Sequence, residues 1–236
     1  MEFGILALLM VTGFGLLIVL VVLSVVVARR RAAKRREDFA GLAAYRGWSY
    51  AQRDDRWTSR FTGSPFDQGH NRQAGNVVVG QFQGRGFAAF DYAYYTTQSS
   101  TDSNGNHQSR EVRHDHSVVA LNTGAAFPPL AVAPEGTFGR LVGRLTDQDI
   151  ELESEDFNRA FTVTCPSRRF ASDVLHPRMM ELLLTQPHFA FRFDGPSILT
   201  IRTGHATIPE VEARLALPDA IVRRIPDVVW RMVRGG

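Results

Sequence analysis

From Phe3 to Ala28 the chain runs 26 residues without a charge, and Arg29-Arg30-Arg31 follows directly. Stretches such as Leu16-Leu17-Ile18-Val19-Leu20-Val21-Val22-Leu23 are apolar on every side. That pattern predicts a helix meant to be surrounded by lipid, not an amphipathic one lying on a surface. At about 1.5 Å per residue it is ~39 Å long, enough for a hydrocarbon core of ~30 Å. Phe39, Leu42 and Ala43 keep helical spacing beyond it, which carries the helix to about Arg46 with Gly47 as its stop.

After Gly47 the period shortens to that of strands. Trp48-Ser49-Tyr50 reads as a short strand, and 54–75 as a loop-rich segment held by Trp57, Phe61 and Phe66. Val77–Phe82 and Phe87–Thr97 are two strands joined by a tight turn at Gln83-Gly84-Arg85-Gly86. With Asn104-Gly105 as a two-residue turn, 109–121 returns as an antiparallel partner of 87–97. Further along, the pattern predicts a strand at Leu130–Val132, a helix at about Phe138–Leu145, a strand at Phe161–Cys165 and a helix over Phe170–Thr185. Phe189–Phe193 and Ile198–Ile201 read as a hairpin around Asp194-Gly195-Pro196, and the tail as helical pieces broken before Pro218 and Pro226.

Strand runs joined by hairpins, with helices between them, imply an α+β fold: one N-terminal transmembrane helix, then a mainly antiparallel sheet domain with packed helices. The expected organisation is an anchor at 1–28, a basic juxtamembrane helix at 29–46 and one domain at 47–236, or two subdomains meeting near 145. A cleaved signal peptide is the competing reading of the first segment, with Val26-Val27-Ala28 as its cleavage point. Against it stand a start, Met1-Glu2, with no positive charge, an apolar run about twice the usual length, and the arginines immediately after. A signal-anchor is the better reading.

Charge gives the anchor a direction. Arg29, Arg30, Arg31, Lys34, Arg35 and Arg36 all follow the span and no basic residue precedes it. The positive-inside rule therefore puts the N-terminus outside and the domain in the cytoplasm of a single-pass cell-membrane protein. The same six residues are expected at the membrane surface, against anionic lipid headgroups. Residues 1–46 carry seven Lys/Arg against three acids, and the rest of the chain twenty against twenty-one. The domain itself is near neutral, which argues against nucleic acid as a partner.

Several stretches resemble a family of uncharacterised actinobacterial single-pass membrane proteins carrying a domain of unknown function. They are Tyr45-Arg46-Gly47-Trp48-Ser49-Tyr50, Arg60-Phe61-x-Gly63-x-Pro65-Phe66, Phe90-Asp91-Tyr92-x-Tyr94, the run from Leu152 to Val163, Phe170-Ala171 and Pro177-Arg178-Met179-Met180-Glu181. The resemblance spans nearly the whole chain. It implies the anchored architecture and assigns no residue a role.

Candidate chemistry is sparse. His114-Asp115-His116 on a strand points both imidazoles to one face. The register set by an Asn104-Gly105 turn pairs Tyr95 with His114 and Ala93 with His116. Asp91 then joins that face, a starting set for a metal-dependent hydrolase. A polar sheet face is the plainer account, and no cofactor is expected. The acids Asp147, Asp149, Glu151, Glu153 and Glu155 alternate as on one strand face, with Asp156 next, but without calcium-loop spacing. A solvated edge strand explains them better. Cys165, the one cysteine, has His176 or His188 as an imaginable base, though a cysteine ending an apolar strand is ordinarily core. Phe90, Tyr92 and Tyr94 share a strand face and read as packing, since no basic residue interleaves them. No Gly-x-Ser-x-Gly, P-loop or His-Glu-x-x-His sequence is present. The expectation is thus a membrane-tethered cytoplasmic binding or scaffolding module with an unknown protein partner, more a recruiter than an enzyme.

Overall fold

In the computed structural model, residues 2–101, 107–136 and 150–235 are described, with side chains from Gly13 onward. The helix expected at Phe138–Leu145, a subdomain junction near 145, the turn at Asn104-Gly105, and Asp147 and Asp149 lie outside the described residues.

Helix α1 (Glu2–Arg46) is unbroken from the apolar segment through the basic arm, and Gly47 ends it with φ 67°. Phe14 through Val27 lie open on all sides, which makes α1 long and apolar enough to cross a membrane. Its last turns do the opposite. Phe39 is 3% exposed and Ala43 1%, both inside the domain core.

Among the described residues seven strands form one antiparallel sheet: β1 (Ser49–Arg53), β2 (His70–Phe82), β3 (Arg85–Thr101), β4 (His107–Phe127), β5 (Ala131–Pro134), β6 (Phe161–Thr164) and β7 (Phe191–Thr203). Their spatial order is β1-β2-β3-β4-β7-β5-β6. Among the described residues the helices after α1 are α2 (Glu155–Ala160), α3 (Arg168–Val174), α4 (Pro177–Leu184), α5 (Ile208–Arg224) and α6 (Asp227–Arg234). The expected α+β class holds.

The sheet separates two cores. On one face the end of α1 and the later helices cover Val78, Phe87, Ala89, Val119 and Leu121. On the other, Phe61 and Phe66 from the 54–69 segment cover Phe90, Tyr92 and Tyr94. The aromatic trio is packing, as its pattern implied. Arg192 of β7 secures the covering segment by donating to the carbonyls of Thr62 and Ser64.

Four local readings change. The expected helix over Phe170–Thr185 is two helices, because Pro177 sits at the first position of α4 and disfavours helical backbone at His176 before it. The expected hairpin at 189–201 is the single strand β7. Gly195, at φ 55°, bends it beside Pro196, so its start pairs with β5 and the remainder with β4. Pro218 lies inside α5 instead of ending it. Finally, the acidic run is no strand face within the described residues. Glu155 and Asp156 open α2, capped by Ser154, where the helix dipole favours negative charge.

Candidate functional site

Asp91, on β3 directly beneath α1, gathers polar partners from several elements. A bulge puts its partners in place. The pairing of β2 with β3 shifts between Gly75↔Asp91 and Val78↔Ala89, and Asn76 takes φ 47° within that shift. Such left-handed backbone re-aims the side chain. Asn76 Nδ2 then donates to Asp91 Oδ2 at 2.7 Å, and Tyr50 Oη donates to Asn76 Oδ1 at 2.9 Å. From above, the Arg35 guanidinium donates to both carboxylate oxygens, with Nη2 to Oδ1 at 2.9 Å. The same Nη2 reaches the Ala206 carbonyl at 2.7 Å, and His205 Nδ1 lies 3.4 Å from Asp91 Oδ1.

Burial pushes the Asp91 carboxyl up, but hydrogen bonds from His205, Arg35 and Asn76 outweigh it and hold the group below the usual carboxylate range. Reciprocally, the bond to Asp91 raises His205 against the smaller effect of its burial. The cluster is an ionised carboxylate with an arginine on one side and a histidine on another. It joins α1, the sheet and the β7–α5 connection at one point.

The proposed metal set does not assemble there. The observed register pairs Tyr94 with His114, Tyr92 with His116 and Asp91 with Ser117. This differs by one residue from the register of a two-residue Asn104-Gly105 turn, because Thr101 pairs with His107 around five intervening residues. A one-residue slip moves a side chain to the other sheet face. Asp91 therefore faces α1, while His114 and His116 stack on Tyr94 in the opposite core, at ring separations of 4.7 and 5.7 Å. His114 Nε2 bonds Thr96 Oγ1 at 2.8 Å. His116 is 7% exposed, and burial together with neighbouring His114 pushes its pKa down. Among the described residues no group of three His, Cys, Asp or Glu is arranged to hold a metal ion.

Of the six basic residues after the span, Arg29, Arg30, Arg31, Lys34 and Arg36 are exposed, and Arg35 turns inward to Asp91. Arg35 lies four residues before Phe39 and eight before Ala43, so all three share the buried face. That spacing was the available signal. Cys165 is buried with Sγ 3.3 Å from the Ser167 carbonyl, and burial raises its pKa, which suppresses the thiolate. The His176 ring bonds the Arg224 carbonyl instead. A further buried cation, Arg214 of α5, had no sequence signature. It sits over β4 and β7 and donates to Ser117 and Thr200.

No family model matches the chain, and no curated protein matches it. The fold is similar to that in the crystal structure of the mycobacterial trehalose monomycolate transport factor A, TtfA. The TM-score is 0.51 at 17% identity, over 82% of this chain and 92% of that one. At that identity the likeness is one of fold, shared with a protein from an actinobacterial genus.

Proposed function

We propose that the chain is a membrane-anchored, non-enzymatic module that holds a rigid α+β domain against the cytoplasmic face of the cell membrane for a protein partner in lipid transport. One observation carries this reading: α1 passes without a break from the apolar segment into the domain core, where Phe39 and Ala43 are buried and Arg35 grips Asp91. A domain hung on a flexible linker samples every orientation. One built onto its own anchor presents a fixed face at a fixed height, which raises the effective concentration of that face for a membrane-embedded partner.

Residues 3–28 span the bilayer with the N-terminus outside. Arg29, Arg30, Arg31, Lys34 and Arg36 meet anionic headgroups, each contributing roughly 1 kcal/mol near the surface. The divisions at 28 and 46 then mark changes of surroundings along one helix. The likeness to a trehalose monomycolate transport factor supports an accessory role in moving a glycolipid. Photo-crosslinkers placed on the exposed domain surface of the full chain in native membranes test the proposal. Recovery of one or a few membrane proteins is the expected result. Recovery of lipid and self-contacts alone overturns it.

A further inference from the structure

Arg214 is 7% exposed, yet every acceptor it has is neutral. Nη1 donates to Ser117 Oγ at 2.8 Å, Nη2 to Ser117 O at 3.0 Å and to Thr200 O at 2.6 Å, and Nε to Thr200 Oγ1 at 3.2 Å. Among the described residues no carboxylate lies within ion-pairing distance of it. Burial and the nearby Arg202 push its pKa down to about 10, which leaves it charged at neutral pH. Arg202 is itself exposed at the end of β7, with no ion pair among the described residues. A buried cation without a counter-ion in direct contact is costly, and a second cation beside it adds to the cost.

The space around these two arginines is unlike the rest of the surface. Both line two neighbouring cavities. The smaller, of about 130 Å³, is polar, with Ser117, Thr203, His205 and Glu210 in its wall. It holds roughly four water volumes, suited to a phosphate group. The carboxylate of Glu210 accepts from Thr207 N at 2.6 Å and Thr207 Oγ1 at 2.9 Å, so it attracts Arg202 and Arg214 through space but forms an ion pair with neither. The larger cavity, of about 260 Å³, has an apolar lining that includes Pro187, Phe189, Ile201, Ala213 and Leu217. That is just below the size of a drug-sized pocket and fits a short hydrocarbon segment.

We propose that Arg202 and Arg214 bind the phosphate of an anionic amphiphile, the phosphate in the polar cavity and the start of its hydrocarbon in the apolar one. The exposed Arg202 offers a planar fork that bonds two phosphate oxygens at once, and Arg214, held by Ser117 and Thr200, adds its charge and the remaining Nη1 hydrogen. The site is also near the span. Ala206, in the wall of the polar cavity, accepts from Arg35, and seven residues of helix, about 10 Å, separate Arg35 from Ala28. The amphiphile is therefore either a bilayer phospholipid or a soluble phosphate ester.

The test is calorimetric titration of the full chain in phosphatidylcholine nanodiscs with hexyl phosphate and with inorganic phosphate. Hexyl phosphate is expected to bind at least about tenfold more tightly than phosphate, from burial of its chain. Arg202→Gln removes one charged contact from an exposed position and is expected to weaken both roughly tenfold or more. Ala213→Leu fills the apolar cavity, and is expected to weaken hexyl phosphate alone. Repeating the titration in nanodiscs containing phosphatidate separates the sources. Weaker hexyl phosphate binding means the lipid headgroup already occupies the site, and unchanged binding means a soluble ester is the ligand. No binding of either probe by the wild-type chain, equal affinity for the two, or wild-type binding by Arg202→Gln overturns the proposal.

Discussion

Arg35 of α1 and Asp91 of β3 are 56 positions apart and form a two-pronged ion pair, with the carboxylate side chain 13% exposed and the guanidinium 25%. It is the polar counterpart of the apolar contact that Phe39 and Ala43 make one and two turns further along the same face. Together they make the end of the long apolar helix part of the domain core.

Removing either partner tests that join, and the two removals are unequal. Asp91→Ala strips the acceptor from Arg35, Asn76 and His205 at once, and is expected to cost about 3 kcal/mol, the scale for stranding a buried charge. Arg35→Ala leaves Asp91 with Asn76 and His205, and its own site is more open to water, so a smaller loss is expected. Thermal unfolding of both variants in nanodiscs gives the comparison. Equal losses would mean the cluster does not hold the carboxylate as a shared acceptor.

Two histidines on opposite sides of the sheet, His205 beside Asp91 and His116 of β4, provide a pH signature. His205 has a raised pKa through Asp91. Its stabilising contribution is complete below the ordinary histidine value near ~6.5 and fades as pH rises through the higher folded value. His116 is depressed by burial, so the folded state resists its protonation. Stability from that site is complete above ~6.5 and is lost as pH falls toward the lower folded value. Imidazole resonances followed by NMR are expected to show His205 titrating above, and His116 below, an exposed histidine. His205→Gln removes the loss on the alkaline side.

Much of this arrangement was legible in the chain. The long apolar helix, the domain's α+β class, the turn at Gln83-Gly84 and the loop anchored by Phe61 and Phe66 all follow from local pattern. Gln83 and Gly84, at φ 51° and 80°, adopt the paired left-handed backbone that a two-residue hairpin turn needs. The site was less legible for a specific reason. Its face assignment depended on counting residues through 102–106, and parity there decides whether Asp91 stands with the histidines or with Arg35. Arg214 and Asn76 were hidden for another reason. Their roles arise from a helix laid over two strands and from a bulge, neither of which leaves a periodic trace.

Gly80 is the position where the helix-to-sheet corner is tightest. A Cβ there would meet Trp48 Cδ1 at 2.2 Å and Cγ at 2.5 Å. Trp48 is fixed by an edge-on contact with Phe87, ring centroids 4.7 Å apart, and by donation from Nε1 to the Gln81 carbonyl at 3.2 Å. Gly80→Ala forces the indole from both, with an expected loss of about 1–3 kcal/mol, the usual range for overpacking. The indole N–H resonance of Trp48 should move in the variant while those of Trp57 and Trp230 stay in place. An unshifted Trp48 would show that the corner yields without cost.

The orientation of the anchor is open to a direct chemical measurement. Tyr45, near the end of α1, is 83% exposed, so a cysteine placed there is accessible to reagents on its own side of the membrane. The native thiol does not interfere. Cys165 is 1% exposed, and its raised pKa keeps it protonated. With the domain in the cytoplasm, a membrane-impermeant maleimide is expected to leave Tyr45→Cys unlabelled in intact cells and to label it once the cells are opened. The six basic residues between 29 and 36 are the physical cause of that orientation, because moving them across the bilayer opposes both the potential and the positive-inside bias. Labelling in intact cells would reverse the topology, and would move the domain and any partner to the outer face.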